Sequence, residues 1–175
     1  MITTRTGPRP CDEALALVRQ RVRSTLAQVA GRGIFPHAAP SATGEWGGTR
    51  EGNWTSGFWV GLLWHEAALS GDTQDADVAT AWTLRLAPHV HRKTHDIGFV
   101  FASSAVLGAE IGGVAACRDL ALRAADALAG MFHPTAGVIP IGSQAEIGAG
   151  LDDVTIDCMV NLPLLWWAWR ATGEE

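Results

Sequence analysis

Tyrosine is missing from this chain, and positive charge, cysteine and long apolar runs are scarce. Lys and Arg number 13 against 18 Asp and Glu, a formal net charge of −5. That balance argues against nonspecific nucleic-acid binding, which draws on phosphate neutralisation. The three cysteines, Cys11, Cys117 and Cys158, are an odd set without CxxC spacing. They predict neither a disulfide framework nor a zinc site, and place the chain in a reducing, cytoplasmic setting. Apolar segments are broken by His, Glu, Arg or Gly well short of the roughly 20 residues a membrane span needs. Met1 to Gly7 carries no apolar run, so no secretory signal is expected.

What is present is a folding chain of 175 residues, 47% hydrophobic and 18% charged, with a mean hydropathy of +0.12. Such a chain can bury one real core, as a single all-α domain over residues 1–175. Eight tryptophans make a lopsided aromatic set. An indole offers a wide apolar face to the C–H side of a sugar ring and one N–H to a hydroxyl. Roughly half of the indoles or more are expected to fill helix–helix interfaces instead.

Periodicity is helical almost throughout. From Asp12 to Ala30, Leu15, Val18, Val22, Leu26 and Val29 recur at three- and four-residue steps, an amphipathic stripe. A Gly-, Pro-, Ser- and Thr-rich stretch from Gly31 to about Asn53 reads as a loop. Further helices are predicted over Thr55–Leu69, Asp75 to about His91, Gly98–Ile111, Val114–Met131 and Asp157–Ala171. Pro88 should bend or end the third of the six. Thr135 to Thr155 reads as a second loop, with a short extended piece at Val138-Ile139-Pro140-Ile141.

The helices alternate in character. Those starting near Thr55, Gly98 and Asp157 are apolar nearly all round, as buried inner helices are. Those starting near Asp12, Asp75 and Val114 carry one charged face, as outer helices do. The inner helices end at Gly71, Gly112-Gly113 and Gly173, each a helix stop. Outer–inner hairpins repeated three times make an arc rather than a closed ring. The chain therefore reads as helical hairpins forming about half of a larger toroid, the N-terminal part; a complete six-helix bundle is the alternative.

Three motifs sit at inner-helix starts: Asn53-Trp54-Thr55-Ser56-Gly57-Phe58-Trp59, His95-Asp96-Ile97-Gly98-Phe99, and Ile156-Asp157-Cys158-Met159-Val160-Asn161-Leu162-Pro163. An acid among apolar side chains tends to keep its proton near neutral pH, as a general acid must. Met159 and the apolar run behind it predict a raised pKa for Asp157. Asp is also a preferred helix N-cap, which is the alternative role for both acids.

Together these motifs resemble those of the unsaturated glucuronyl hydrolases, glycoside hydrolase family 88, from about Trp54 to Gly173. The resemblance implies an (α/α)6 toroid about twice this length. It implies removal of an unsaturated uronic acid from the non-reducing end of lyase-generated oligosaccharides, by hydration of the C4=C5 double bond. Asp157 would then be the general acid and base, Asp96 its assistant, and Trp54 a stacking face for the sugar. His95 would bond substrate or Asp96, and Asn161 would tie polar groups across the helix break at Pro163. One departure is that Gly137 to Ser143 lacks the aromatic residue the family often places there.

No cofactor is expected. His89, His91 and His95 match neither one helical face nor a zinc pattern, and His91, Arg92 and Lys93 suit a helix C-terminus. Glu45 and Glu51 read as solvated, and Asp152-Asp153 as a turn or an early-helix charge. Two further readings are an unsaturated rhamnogalacturonyl hydrolase and a non-catalytic carbohydrate-binding helical fragment. With half a ring, exposed inner-helix faces are expected to drive self-association and to leave the chain poorly active.

Overall fold

The computed structural model describes residues 10–143 and 153–174. The reading of Met1–Gly7, and that of Asp152, fall outside the described residues. Among the described residues, seven α-helices and one short hairpin follow in order: α1 (Pro10–Ala30), β1 (Phe35–Ala38), β2 (Gly47–Thr49), α2 (Ser56–Ser70), α3 (Thr73–Leu84), α4 (Ile97–Ala102), α5 (Ala105–Glu110), α6 (Ala115–Ala129) and α7 (Cys158–Thr172). The described residues are thus mostly helical, as expected.

Local chemistry explains the boundaries. Asp12 and Glu13 sit in the first turn of α1, where an anion favours the helix dipole. Asp72 caps α3 by accepting from the Gln74 N–H at 2.8 Å. Gly71 and Gly173 close α2 and α7 at φ 67° and 75°, a conformation that costs other residues dearly. The third predicted helix stops at Leu84, and Pro88 falls inside a separate 3₁₀ turn, Ala87–His91.

Two elements differ from expectation. The loop from Gly31 contains an antiparallel hairpin pairing Phe35 with Thr49 and Pro36 with Gly48, bulged before Ala38. It anchors Phe35, which is buried edge-on against Trp82 at 5.0 Å while Arg85 stacks over both rings. The predicted helix from Gly98 to Ile111 is split between α4 and α5, where the Ser104 hydroxyl donates back to the Val100 carbonyl.

Inner helices α2, α4 and α7 lie side by side, and close approach is made by missing side chains. A Cβ on Gly57 would sit 2.4 Å from the Val100 carbonyl oxygen, and one on Gly61 2.6 Å from that of Ser103. A Cβ on Gly98 would meet Asn161 Cα at 2.4 Å. These contacts draw the starts of α2, α4 and α7 together. The outer helices α3 and α6 cover the other side, with Trp64, Leu86, Leu120 and Leu128 fully buried between layers.

Burial at the two ends of the arc corrects the expected pattern. Only Asn161 and Leu164 of α7 are buried, although its sequence is apolar nearly all round. Leu15 and Val18, in the N-terminal half of the α1 stripe, are exposed too. At that end α1 is held by charge. Glu66 of α2, itself buried, accepts from Arg19 Nε at 2.9 Å and Arg23 Nε at 2.8 Å.

The Arg19 hydrogen bonds hold the Glu66 carboxyl below the usual carboxylate range, against the opposing effect of burial. Its folded pKa is therefore below its unfolded value of about 4.3, so the clamp stabilises fully above that pH. The stabilisation is lost as pH falls through the depressed folded value. Thermal melts of wild type and Glu66→Gln between about pH 3 and pH 7 should show this. The variant should melt lower at neutral pH and lose less on acidification. Parallel curves would mean the clamp adds nothing to stability.

Candidate active site

Each acid begins an inner helix without capping it. Asp96 and Asp157 precede α4 and α7 with helical backbone angles, and neither side chain bonds its own helix N-terminus. Each accepts from the threonine two residues earlier. Thr94 Oγ1 donates to Asp96 Oδ2 at 2.9 Å, and Thr155 Oγ1 donates to Asp157 Oδ1. The shared Thr-x-Asp pattern was a signal available in the sequence. It turns both carboxylates off their helices and towards each other.

His95 stands between them. Its Nε2 is 3.6 Å from Asp96 Oδ1 and 3.5 Å from Asp157 Oδ2, long for hydrogen bonds but close for charges. Its Nδ1 lies 3.0 Å from the Ile141 carbonyl oxygen, an acceptor only, so Nδ1 carries the proton there. The backbone N–H of His95 donates to that same carbonyl at 2.9 Å, and the Ile141 N–H in turn donates to Asp153 O at 2.8 Å. The segment from Gly137 to Ser143, which lacks an aromatic residue, thus serves here as the seat of His95. His95 is buried, so it faces the two acids rather than an open surface.

Asn161 ties the acid helices together. Its Oδ1 accepts from the Phe99 N–H at 2.8 Å, and its Nδ2 donates to the Asp157 carbonyl at 3.1 Å. The side chain is 1% exposed and the tie is structural, but it joins α7 to α4 rather than spanning a break, since α7 runs unbroken through Pro163.

Trp54 is half-exposed at the start of α2 and forms an aromatic wall with Phe58 and Phe99, at 6.4 and 6.2 Å between ring centroids. Phe99 continues to His95 at 5.9 Å. Trp54, Arg92, Thr94 and Asp96 line a cleft of about 30 Å³. That holds a water or two and no sugar ring, so a sugar would have to lie over the cleft. The structure brings Trp54, His95, Asp96 and Asp157 onto one face built from three helix starts.

The electrostatics of Asp157 reverse the expectation. The hydroxyl of Thr155 first, with help from the His95 imidazole, holds its carboxyl below the usual carboxylate range and outweighs the opposing effect of burial. The neighbours expected to desolvate it are themselves in solvent, Met159 at 66% exposure and Val160 at 54%. His89, His91 and His95 do not form a cluster. His89 is buried with Nε2 2.7 Å from the Glu51 carbonyl oxygen, and burial pushes its pKa down. Among the described residues a different set converges, His95, Asp157 and Cys158, with ligand atoms within 4.8 Å of one another. Glu45 and Glu51 are exposed, as expected.

No protein-family model matches the chain. It is 36% identical over 130 residues to the unsaturated glucuronyl hydrolase of Bacillus sp. (strain GL1), covering 70% of this chain and 33% of that protein. It is 30% identical over 129 residues to the unsaturated chondroitin disaccharide hydrolase of Streptococcus pneumoniae (strain ATCC BAA-255 / R6), covering 70% of this chain and 32% of that one. Among solved structures, an unsaturated glucuronyl hydrolase variant with dGlcA-Glc-Rha-Glc matches at a TM-score of 0.80 and 29% identity, covering 93% of this chain and 44% of that one. The matched structures are α/α toroids, so the fold is part of such a toroid, as the hairpin pattern implies. The chain spans about one third of the length of the curated relatives it matches.

Proposed function

The chain is a relative of the unsaturated glucuronyl hydrolases over about one third of their length, and from that premise we propose that it carries the acid-bearing face of such an enzyme. The substrate is an oligosaccharide with a 4,5-unsaturated uronic acid at its non-reducing end. The observation that carries this reading is the meeting of Asp96 and Asp157 on His95 Nε2, beside half-exposed Trp54. Asp157 delivers a proton to C4 of the vinyl ether and takes one from the water that adds at C5. The resulting hemiketal opens and the glycosidic bond is released. Asp96 orients hydroxyls and offsets the positive charge that develops on the ring.

As an anion at neutral pH, Asp157 is ready to accept the water's proton but must first gain the one it donates. Arrival of an anionic uronate and loss of water from the face both favour that protonation. The assay is loss of the alkene's ultraviolet absorbance from an unsaturated chondroitin disaccharide. Loss with wild type supports the reading. Binding of the disaccharide with its alkene band intact would replace it with a non-catalytic binding role.

The same reading makes residues 1–175 the N-terminal part of a larger barrel whose other hairpins cover the two apolar ends. At one end Leu15, Val18, Leu62 and Leu69 are exposed, and at the other Met159, Val160, Trp166 and Trp169. Alone, the chain should pair these faces with a second copy. Sedimentation velocity over rising concentration should show dimers or larger species. Trp166→Lys with Trp169→Lys should shift them towards monomer. A monodisperse, highly active wild-type monomer would overturn this. A cytoplasmic location accords with three free cysteines, and among the described residues no helix is long and apolar enough to cross a membrane.

A further inference from the structure

His95 presents a nitrogen with nothing to hold. Its Nδ1–H donates to the Ile141 carbonyl, which leaves Nε2 as the nitrogen turned to the acids. That Nε2 is fully buried without a hydrogen-bond partner, on a residue 3% exposed, and it points at two carboxylates. A buried ring nitrogen and a carboxylate oxygen converging on one point are two of the donors a metal site needs. Cys158 adds a soft ligand from the first turn of α7, completing the set with Asp157 and His95.

We propose that His95 Nε2, the Asp157 carboxylate and Cys158 Sγ form a site for a borderline-soft divalent cation, zinc above all. A tetrahedral zinc ion with nitrogen and sulfur at about 2.0 and 2.3 Å places neighbouring ligand atoms about 3.5 Å apart. His95 and Asp157 already stand at 3.5 Å, and the full set lies within 4.8 Å, so a turn of the Cys158 side chain closes it. Water fills the fourth position. The imidazole has the outer support that metal-binding histidines have, its other N–H on a backbone carbonyl. The mixed nitrogen, oxygen and sulfur set excludes magnesium, which wants oxygen alone. Binding releases the thiol proton to solvent. Occupancy would tie up Asp157 and switch off the hydration proposed above. That consequence rests on the hydrolase reading, whereas the binding does not.

Cobalt(II) titration of the 175-residue protein tests the site by spectrum, without any activity. Wild type should show thiolate-to-cobalt charge transfer in the near ultraviolet at one equivalent, erased by zinc and unaffected by magnesium. Cys158→Ser should lose that band with its circular dichroism unchanged, while Cys11→Ser keeps it. The ¹⁵N resonance of His95 should shift on zinc addition at Nε2 and not at Nδ1. A band that survives Cys158→Ser, no band at all, or an unmoved Nε2 resonance would each overturn the proposal.

Discussion

Replacing Asp157 by asparagine is expected to lower the rate of alkene loss by roughly 10²–10⁴-fold, the usual contribution of a positioned acid–base group. Asparagine keeps the shape and can still accept the Thr155 hydroxyl, but it can neither give a proton to C4 nor take one from water. The loss should fall on kcat, with KM nearly unchanged. The pH profile supplies a second readout. Thr155 and His95 favour the carboxylate form of Asp157, so the donor form grows as pH falls from neutral. Wild-type rate should therefore rise towards acid until another group fails. Thr155→Val removes the largest of these influences, so its acid limb should move to higher pH while the Asn variant stays flat. A Thr155→Val profile that superposes on wild type would place the rate-setting proton elsewhere.

Much of this site was legible because the acids, the tryptophan and the helix starts form contiguous strings, and glycine stops mark where each inner helix ends. Asn161 was legible too, as a polar residue inside an apolar helix. What escaped was everything decided by contact. The hairpin at Phe35–Ala38 and Gly47–Thr49 has no period-two alternation and few β-branched residues, so no strand signal exists to read. The break between α4 and α5 depends on a serine bonding back to the helix, which periodicity does not record. The pKa of Asp157 was misjudged because apolar sequence neighbours were equated with burial. On α7 those neighbours lie at an uncovered edge, while the Thr155 hydroxyl two residues back sets the charge state. The Thr-x-Asp repeat was visible in both motifs, and its use became clear only once both carboxylates were seen to leave their helices.

Gly98→Ala is expected to be severely damaging, because its methyl group would land in the contact between α4 and α7. The added Cβ would lie 2.2 Å from Asn161 Cβ and 2.4 Å from its Cα, and backbone cannot yield as a flexible side chain does. Helices α4 and α7 must separate. Overpacking of this kind costs about 1–3 kcal/mol. Separation also breaks the bond from the Phe99 N–H to Asn161 Oδ1, and an orphaned buried donor costs about 1–3 kcal/mol more. A total of about 2–6 kcal/mol is a large share of a domain's usual stability. Gly31→Ala is the control, since its Cβ would meet nothing within 4 Å. Thermal melts should show a large drop for Gly98→Ala and almost none for Gly31→Ala. The damage should reach the site as well, because Asp157 rides on α7 and His95 precedes α4. Moving the helices apart lengthens the 3.5 Å approach between them, so both alkene hydration and cobalt binding should fail in any Gly98→Ala protein that remains folded. If that variant melts like wild type, the close packing of α4 on α7 does not hold the two acids together.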